Sequence, residues 1–318
     1  MAIAESDKVP RGDVVAKLNF FVPPADGAVP FNYVDAPPPG EPQNNFGTDT
    51  QDVLIHDIRG REHEFSDTPS SLDRNAFLVV QNLPPSAESD FLDDESIKKN
   101  YYPEVEDLLL KNIPGANRVV IFDHTVRRGK PGTPEESDDD KDQKDQKDQK
   151  DQKAKENPTR TPVTRVHIDQ TAEAAAQRVH RHLPVDETAK LLQGRYRIIN
   201  VWRPLNKKPV ETFPLAFASS QTVRDEDVVA VEHRYPAARG AYVGQTAGIR
   251  YHEDQQWHYL SGMGGDERLL LECFDSEGLK GGAVKGGRLA HSAFEDPRSR
   301  PDAEHRESIE VRTLVFGP

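Results

Sequence analysis

The sequence predicts a mainly β protein, with an all-β barrel or jelly-roll core and helices added around it. Two observations lead to this prediction. Short apolar segments with strand-like composition recur along most of the chain, whereas only a few segments show helical spacing. Many short strands with few helices are typical of two packed sheets or of a sheet closed on itself.

The predicted strands are short, and several of them end at a proline or a glycine. They span residues 14–21, 51–58, 76–80, 118–126, 195–204, 214–218, 228–234, 240–250, 256–260 and 306–316. The last of these alternates with a period of two, so Arg306 and Ser308 are expected on one face.

Three segments favour helices. Apolar residues recur at helical spacing over residues 89–111, and Pro103 is expected to divide that helix because proline lacks an amide donor. Residues 171–182 are Ala-rich, and Thr171 is a plausible N-cap. Residues 266–273 predict a short helix that begins after Asp266.

Domain organisation follows from length and local composition. The chain of 318 residues is interpreted as a single domain, 1–318, with an N-terminal arm over residues 1–50. Residues 135–157 repeat Lys-Asp-Gln and lack apolar side chains except Ala154. Such a segment cannot offset its ordering entropy by burial, so it predicts a disordered insertion.

Charge and cysteine content narrow the class of partner. The net charge of −13 argues against nucleic acid or an anionic membrane as a partner. Cys273 is the single cysteine, so an intramolecular disulfide is excluded. The N-terminus lacks the apolar core of a signal peptide, and no run is long enough to span a membrane. We therefore expect a cytoplasmic protein of open oligomeric state.

A His-x-Asp pair in a β-like context is the first candidate for metal chemistry. Residues i and i+2 of a strand share a face, so His167 and Asp169 would aim a ring nitrogen and a carboxylate at one point. With a distant histidine they would complete a 2-His-1-carboxylate triad, which suits non-haem Fe(II). Alone, the tripeptide is a weak signal in a chain with 11 His.

The end of the chain supplies the missing parts. His291 is a plausible third ligand, and Arg306 with Ser308 follows on the next predicted strand. A guanidinium binds a carboxylate through two hydrogen bonds, and a serine hydroxyl can donate to the same group. These residues match the anchoring that the distal carboxylate of 2-oxoglutarate requires. The ordered set is far more specific than any one of its parts.

In this order the motifs resemble those of the Fe(II)/2-oxoglutarate-dependent dioxygenases. More narrowly, four stretches are similar to a mostly fungal hydroxylase/desaturase family related to gibberellin desaturase, the AsaB-type enzymes and the CmcJ proteins. The stretches are residues 166–170, residues 200–205, residues 273–276, and residues 291–297 together with 306–310. The resemblance covers most of residues 50–318, with the Lys-Asp-Gln run as an apparent insertion.

The resemblance implies a fold, a site and a reaction. The fold would be a double-stranded β-helix (jelly roll) with flanking helices. His167, Asp169 and His291 would bind Fe(II), while Arg306 and Ser308 would hold 2-oxoglutarate, with O2 as the second co-substrate. The enzyme would abstract hydrogen from an unactivated C–H bond of a small-molecule substrate in secondary metabolism, giving hydroxylation, desaturation or oxidative ring closure. Glu307, between Arg306 and Ser308, departs from the family's pattern. It would not disturb co-substrate binding if its side chain faces away from the site.

Other polar and aromatic residues are candidates for substrate contacts. They are Asn200, Arg203, Arg250, Trp257, Tyr259 and Arg312. Asn200 and Arg203 could bind a carboxylate of the substrate or co-substrate, although Arg203 could equally be buried beside an acid such as Glu232. Trp257 and Tyr259 fit a pocket wall or, more simply, the core. Arg250 is a further possible carboxylate partner, and Arg312 is a fallback anchor for the co-substrate.

Two alternatives come from different functional classes. A cupin-like protein could use another divalent metal for an isomerisation or hydrolysis that needs no O2. A non-catalytic protein could instead recruit partners through the Lys-Asp-Gln run. Dependence of turnover on O2, and the effect of deleting residues 135–157, separate these hypotheses from the oxygenase.

Overall fold

The computed structural model describes residues 9–33, 36–66, 70–128, 160–235, 243–282, 284–285 and 287–317. The predicted insertion at residues 135–157 lies outside these ranges. Across the described ranges the strands form two sheets, one large and one small. No helix in these ranges is long and apolar enough to cross a membrane.

The larger sheet mixes strands from both ends of the chain. In spatial order its strands are β1 (Val14–Val22), β3 (Gly47–Asp57), β11 (Trp257–Tyr259), β8 (Leu215–Ala218), β13 (His291–Ala293), β6 (His167–Ile168), β10 (Val243–Ile249), β9 (Val228–Arg234) and β2 (Phe31–Tyr33). The stretch that the sequence marked as an N-terminal arm therefore contributes β1, β2 and the start of β3 to this sheet.

The smaller sheet is antiparallel throughout. Its strands, again in spatial order, are β4 (Phe77–Val80), β12 (Arg268–Asp275), β7 (Arg195–Pro204), β14 (Ser308–Gly317) and β5 (Arg118–Arg127). The helices are α1 (His63–Ser66), α2 (Ser70–Asn75), α3 (Asp94–Asn100), α4 (Tyr102–Asn112), α5 (Ala172–His182) and α6 (Val185–Leu191).

The core consists of two groups of buried side chains. The larger group joins the two sheets; in it the rings of Phe77 on β4 and Phe217 on β8 are 4.6 Å apart. The smaller group lies between the other face of the small sheet and helices α3 and α4, which bury Ile97, Val105 and Leu109. The predicted mainly β fold is confirmed, with one helical layer outside the small sheet.

Both longer helical predictions are confirmed. Pro103 divides the first segment, and it lies in the first turn of α4 rather than inside a continuous helix. In α5 the Thr171 hydroxyl accepts a hydrogen bond from the backbone amide of Ala174 at 3.2 Å. This satisfies one of the donors that a helix start leaves open.

The predicted helix at residues 266–273 is wrong. Residues of this segment form β12, which pairs with β4 on one side and with β7 on the other. All eight residues of β12 are buried, so both of its faces are in contact with protein. A strand buried on both faces can carry consecutive apolar residues without alternation, as residues 269–271 do here, and periodicity alone therefore does not distinguish it from a buried helix.

Strand β1 touches the chain just before β6. The backbone amide of Val166 donates to the carbonyl of Asn19 at 2.9 Å, and the Asn19 side chain donates to the carbonyl of Thr164 at 3.1 Å. Two residues further on, the Phe21 ring packs on Gly248, where an added Cβ would lie 2.5 Å from the ring. Gly248 is the β10 partner of His167, so β1 covers this side of β6.

Candidate metal centre

Three short strands bring the candidate ligands together. His167 lies in β6, Asp169 follows it by two residues, and His291 begins β13 as the direct cross-strand partner of His167. Directly paired residues of adjacent strands share a face. The two histidines are therefore neighbours across the sheet, with ring centroids 4.4 Å apart.

The ligand atoms converge on one small volume. One ligand atom each from His167, Asp169 and His291 lies within 4.8 Å of the others, and within the described ranges no other such group of three is found. Nε2 of His167 is 3.2 Å from Oδ1 of Asp169, and Nε2 of His291 is 3.9 Å from the same oxygen. Asp169 and His291 are buried, while His167 is partly exposed.

Backbone carbonyls orient both imidazole rings. Nδ1 of His167 is 2.7 Å from the carbonyl oxygen of Arg165, and Nδ1 of His291 is 3.1 Å from that of Leu289. A carbonyl oxygen only accepts, so each Nδ1 carries the proton and each Nε2 presents a lone pair to the centre. Metal-binding histidines are held in the same way, through the nitrogen that does not face the metal.

The second oxygen of Asp169 is fully engaged. Oδ2 accepts a hydrogen bond from Nδ2 of Asn200 at 2.7 Å and from Nε of Arg312 at 3.0 Å. Burial alone would raise the pKa of Asp169, but the Arg312 guanidinium holds it well below its usual value. Asp169 is therefore a carboxylate, and Oδ1 is the atom that faces the histidines.

These donors fit a divalent cation. Two imidazole lone pairs and a carboxylate oxygen face one another, and such acceptors repel unless a cation lies between them. Burial lowers the pKa of His291 to about 4, so this ring is neutral near pH 7. Two histidines and one carboxylate are the donor set that suits non-haem Fe(II).

Arg306 lies buried just before β14, at the end of the small sheet. Its Nη1 donates to the carbonyl of Phe213 at 2.7 Å, and its backbone amide donates to the hydroxyl of Thr212. Nε has no hydrogen-bond partner in the described part of the chain. Burial and the nearby Arg127 lower the pKa of Arg306 to about 9. A buried guanidinium with an unused donor is suited to a carboxylate ligand.

Ser308 is the first residue of β14 and is completely enclosed. It pairs with Pro204 of β7 and with Arg127 of β5, on the same sheet face as Arg312. Ser308 is thus at one end of that face, and Arg312 is on the same strand nearer to Asp169. Arg306 precedes the strand, with its guanidinium 5.5 Å from the ring of Trp202 on β7. The period-two alternation of the last strand predicted that Ser308 and Arg312 share this face.

Asn200 and Arg312 both lie at the metal centre. They are direct cross-strand partners in β7 and β14, and each contacts the Asp169 carboxylate. Arg312 also donates to Oδ1 of Asp123 at 3.3 Å and to the Thr125 hydroxyl at 3.0 Å. Both were predicted as substrate or co-substrate contacts, and the structure places both against the Asp169 carboxylate.

Arg203 and Arg250, two further predicted substrate contacts, do not lie at the candidate metal centre. Arg203 lies on the opposite face of β7 from Asn200, with its guanidinium 4.9 Å from the Phe91 ring and 5.3 Å from the Tyr101 ring. Glu232, its alternative partner, is paired with Arg234 at 3.0 Å. Arg250 is exposed just after β10.

Trp257 and Tyr259 are core residues on the far face of β11. His258 between them pairs with Phe217, which in turn pairs with His291, so this row of residues faces the metal centre. Neighbours along a strand point to opposite faces, which turns Trp257 and Tyr259 away from it. Tyr259 donates its hydroxyl hydrogen to the backbone of Gly12 at 2.8 Å.

Three residues that surround Arg312 and Asn200 were not among the predicted site residues, although the sequence favoured a structural role for Asp123. They are Asp123 and Thr125 of β5, and Glu310 of β14, which accepts from Nδ2 of Asn200 at 2.7 Å. A signal was present in the last strand, where Ser308, Glu310 and Arg312 alternate with apolar residues. Because Ser308, Glu310 and Arg312 are all buried, this alternation marks a polar interior face rather than a solvent-exposed one.

Comparison with known proteins agrees with this geometry. A family profile described as "Oxidoreductase/YMDC permease-like domain" matches residues 18–316. Hydroxylase/desaturase poxK of Penicillium oxalicum is 37% identical, over 96% of this chain and 92% of that protein. The Fe(II)/2-oxoglutarate-dependent dioxygenase nvfI of Aspergillus novofumigatus is 31% identical, over 95% of this chain and 96% of that protein.

A solved structure supports the same assignment. The iron- and α-ketoglutarate-dependent endoperoxidase NvfI superposes with a TM-score of 0.74 at 27% identity, covering 97% of this chain and 99% of that chain. The fold is therefore that of the jelly-roll oxygenases, as expected. The chain belongs to the fungal hydroxylase/desaturase family of Fe(II)/2-oxoglutarate-dependent dioxygenases, whose members act on small molecules in secondary metabolism.

Proposed function

We propose that the protein is an Fe(II)/2-oxoglutarate-dependent oxygenase of secondary metabolism that oxidises an unactivated C–H bond of a small molecule. The observation that carries this proposal is the convergence of His167, Asp169 and His291, with both Nε2 atoms and one carboxylate oxygen turned inward. The family assignment supports an oxygenase over a metal-dependent isomerase or hydrolase.

In this proposal the three side chains bind Fe(II), and Arg306 with Ser308 holds the distal carboxylate of 2-oxoglutarate. When bound, iron and 2-oxoglutarate together supply the activation of O2 that hydroxylation, desaturation or ring closure needs. Arg306 is supported as the anchor by its burial, its unused Nε and the backbone contacts that fix its position. Because water is largely excluded, the charge–charge contact with a carboxylate would be strong.

The chain's own residues orient the bound groups. The carbonyls of Arg165 and Leu289 fix the two rings, and Arg312 and Asn200 fix the carboxylate of Asp169. His167 is the most exposed of the three candidate ligands, so we propose that O2 and substrate reach the metal from its side.

The test of the metal site is a binding measurement without O2. Adding Fe(II) and then 2-oxoglutarate to the wild-type protein should give a weak visible charge-transfer band, and His167→Ala should abolish iron binding. His180→Ala is the matched control, because His180 is exposed on α5 far along the helix from its capped start. Iron bound to the wild type without a band on adding 2-oxoglutarate would refute the co-substrate assignment.

The anchor is tested by comparing two buried arginines. Arg306→Met should weaken 2-oxoglutarate binding by about tenfold to a hundredfold, the cost of one charge-assisted contact pair. Arg203→Met is the control, since Arg203 is similarly buried but on the other face of the small sheet. Equal losses in the two variants would show that Arg306 is not the anchor. Turnover should release succinate and require O2, which excludes an O2-independent reaction.

We also propose that the described residues form one oxygenase domain. Both sheets combine early and late parts of the chain, since β3 pairs with β11 and β5 pairs with β14. Neither sheet could form from one half of the chain alone. The buried Cys273, the one thiol of the chain, is compatible with the proposed cytoplasmic location.

A further inference from the structure

Asn200 and Arg312 form a pair of donors behind the candidate metal ligand. They face each other on β7 and β14, and both donate to Oδ2 of Asp169, at 2.7 Å and 3.0 Å. Both side chains are buried, so water does not compete for these hydrogen bonds. We call these two residues the Asp169 clamp.

Neighbouring residues fix the orientation of Asn200. Its Nδ2 donates both hydrogens to carboxylates, one to Oδ2 of Asp169 and one to Oε1 of Glu310, each at 2.7 Å. A rotation of the amide by half a turn would place its oxygen against both carboxylates. The two acids therefore hold the amide in the orientation that serves Asp169.

Arg312 is held by a second set of contacts. Its Nη1 donates to Asp123 and Thr125 of β5, and its Nη2 lies 3.8 Å from Glu310. While Nη1 is held by β5, the planar guanidinium turns its Nε to Asp169. Two adjacent strands, β5 and β14, thus fix one hydrogen bond to the candidate ligand.

We infer that the Asp169 clamp positions Asp169 to offer a single oxygen to the metal, and this inference rests on the proposed function. The clamp occupies Oδ2, so a second bond from that oxygen to the metal would require breaking both hydrogen bonds. Oδ1 is left facing the histidines. Asn200 and Arg312 are thus positioning residues that act on the metal through Asp169.

The experiment separates metal binding from co-substrate binding. Dissociation constants for Fe(II) and Co(II) are measured without O2 by chelator competition, and that for 2-oxoglutarate is measured at saturating metal. Arg312→Met should weaken metal binding by about tenfold to a hundredfold, as is usual when an outer partner of a ligand is removed. Its 2-oxoglutarate affinity should change much less, by less than about threefold.

Two milder variants keep the test decisive if Arg312→Met does not fold. Arg312→Lys retains the positive charge but removes the planar guanidinium and its several N–H donors. Asn200→Ala removes one donor to Asp169 and leaves the ion pairs of Arg312 in place. Both should weaken metal binding, and the visible spectrum of bound Co(II) should differ from wild type because Asp169 can then bind through both oxygens. Arg203→Met, on the outer face of β7, should leave both the metal affinity and the spectrum unchanged.

Each result decides the question. Wild-type metal affinity and an unchanged Co(II) spectrum in Asn200→Ala and Arg312→Lys would overturn the inference. A loss confined to 2-oxoglutarate affinity would overturn it too, and would make Arg312 a co-substrate anchor. If the wild-type protein itself binds neither Fe(II) nor Co(II), the proposed function fails, which is a distinguishable outcome.

Discussion

The inner face of the small sheet carries Asn200, Glu310 and Arg312, whereas the outer face of the same strands carries Val201, Ile309 and their apolar neighbours. The inner residues form hydrogen bonds around Asp169, and the outer ones pack beneath α3 and α4. Because alternate residues belong to opposite faces, a single strand contributes to both the candidate site and the core.

Two arginines show how much the face matters. Arg312 on the inner face contacts three carboxylates, while Arg203 on the outer face lies against the rings of Phe91 and Tyr101. Both are buried and both were candidates for the same role in the sequence. The residue type therefore gives less information about function than the face on which it lies.

The largest predicted effect is at the inner face. Arg312→Ala should lower the free energy of unfolding by about 3–5 kcal/mol, because it leaves buried carboxylates without their cation. Urea denaturation of the metal-free protein measures this change. A loss below about 1 kcal/mol would mean that the ion pairs around Asp169 contribute little in the metal-free state.

A smaller change in the free energy of unfolding is expected from His258. This residue pairs with Phe217, which in turn pairs with His291 at the candidate metal centre. Burial, with the nearby His56 and Arg61, lowers the pKa of His258 to about 4 from its usual 6.5. The unfolded chain therefore binds a proton at higher pH than the folded protein does. The free energy of unfolding should therefore fall as pH decreases from 6.5 toward 4, and His258 alone should account for up to about 3 kcal/mol of this loss. His291 and the carboxylates contribute further losses in the same pH range.

His258→Phe isolates this contribution, since the ring lies among Phe65, Phe77 and Phe217. The difference in unfolding free energy between wild type and variant should shift in favour of the variant as pH falls through this window. Urea denaturation at pH 7, 6 and 5 provides the measurement. A difference that does not vary with pH would show that His258 does not titrate differently in the folded protein.

Metal binding at the inner face should raise the free energy of unfolding by an amount similar to the change predicted for His258. At a Co(II) concentration of a hundred times Kd, the free energy of unfolding should rise by about 2.7 kcal/mol if the unfolded chain does not bind the ion. His167→Ala should lose this gain, and His180→Ala should keep it. An equal gain in His167→Ala would place the stabilising ion elsewhere.

The smallest effect is expected on the outer face. Arg203→Met should change the free energy of unfolding by less than about 1 kcal/mol, because lost contact with the rings is offset by removing a desolvated charge. Burial lowers the pKa of Arg203, and its Nε and Nη1 lack hydrogen-bond partners among the residues that the structure describes. A cost as large as that of Arg312→Ala would remove the contrast between the two faces.

The sequence predicted most strands, two of the helical segments and the convergence of His167, Asp169 and His291. These predictions are correct because strand alternation and helix caps depend on residues that are close together in the chain. Residues i and i+2 also share a face wherever a strand forms. It failed for β12, where burial on both faces removed the periodic signal. It also could not distinguish Arg312 from Arg203, because their roles depend on which strands lie next to β7 and β14.

The contacts that fix the site are mostly long-range. Asp123, Asn200 and Glu310 meet through pairing between β5, β14 and β7, and one sequence does not specify strand order. The backbone of Phe213, with a positive φ of 45°, offers its carbonyl to Arg306 from a loop between two strands. No pattern in the sequence indicates this contact, because it depends on the path of that loop.

The contacts of β1 with the chain before β6 have a consequence for protein engineering. Asn19 bonds the backbone on both sides of Arg165, whose carbonyl in turn orients the His167 ring. Phe21 closes the space beside Gly248, the partner of His167. A deletion or fusion that displaces residues 14–22 would therefore act as an active-site mutation, although these residues are nearly 150 positions away from His167 in the chain.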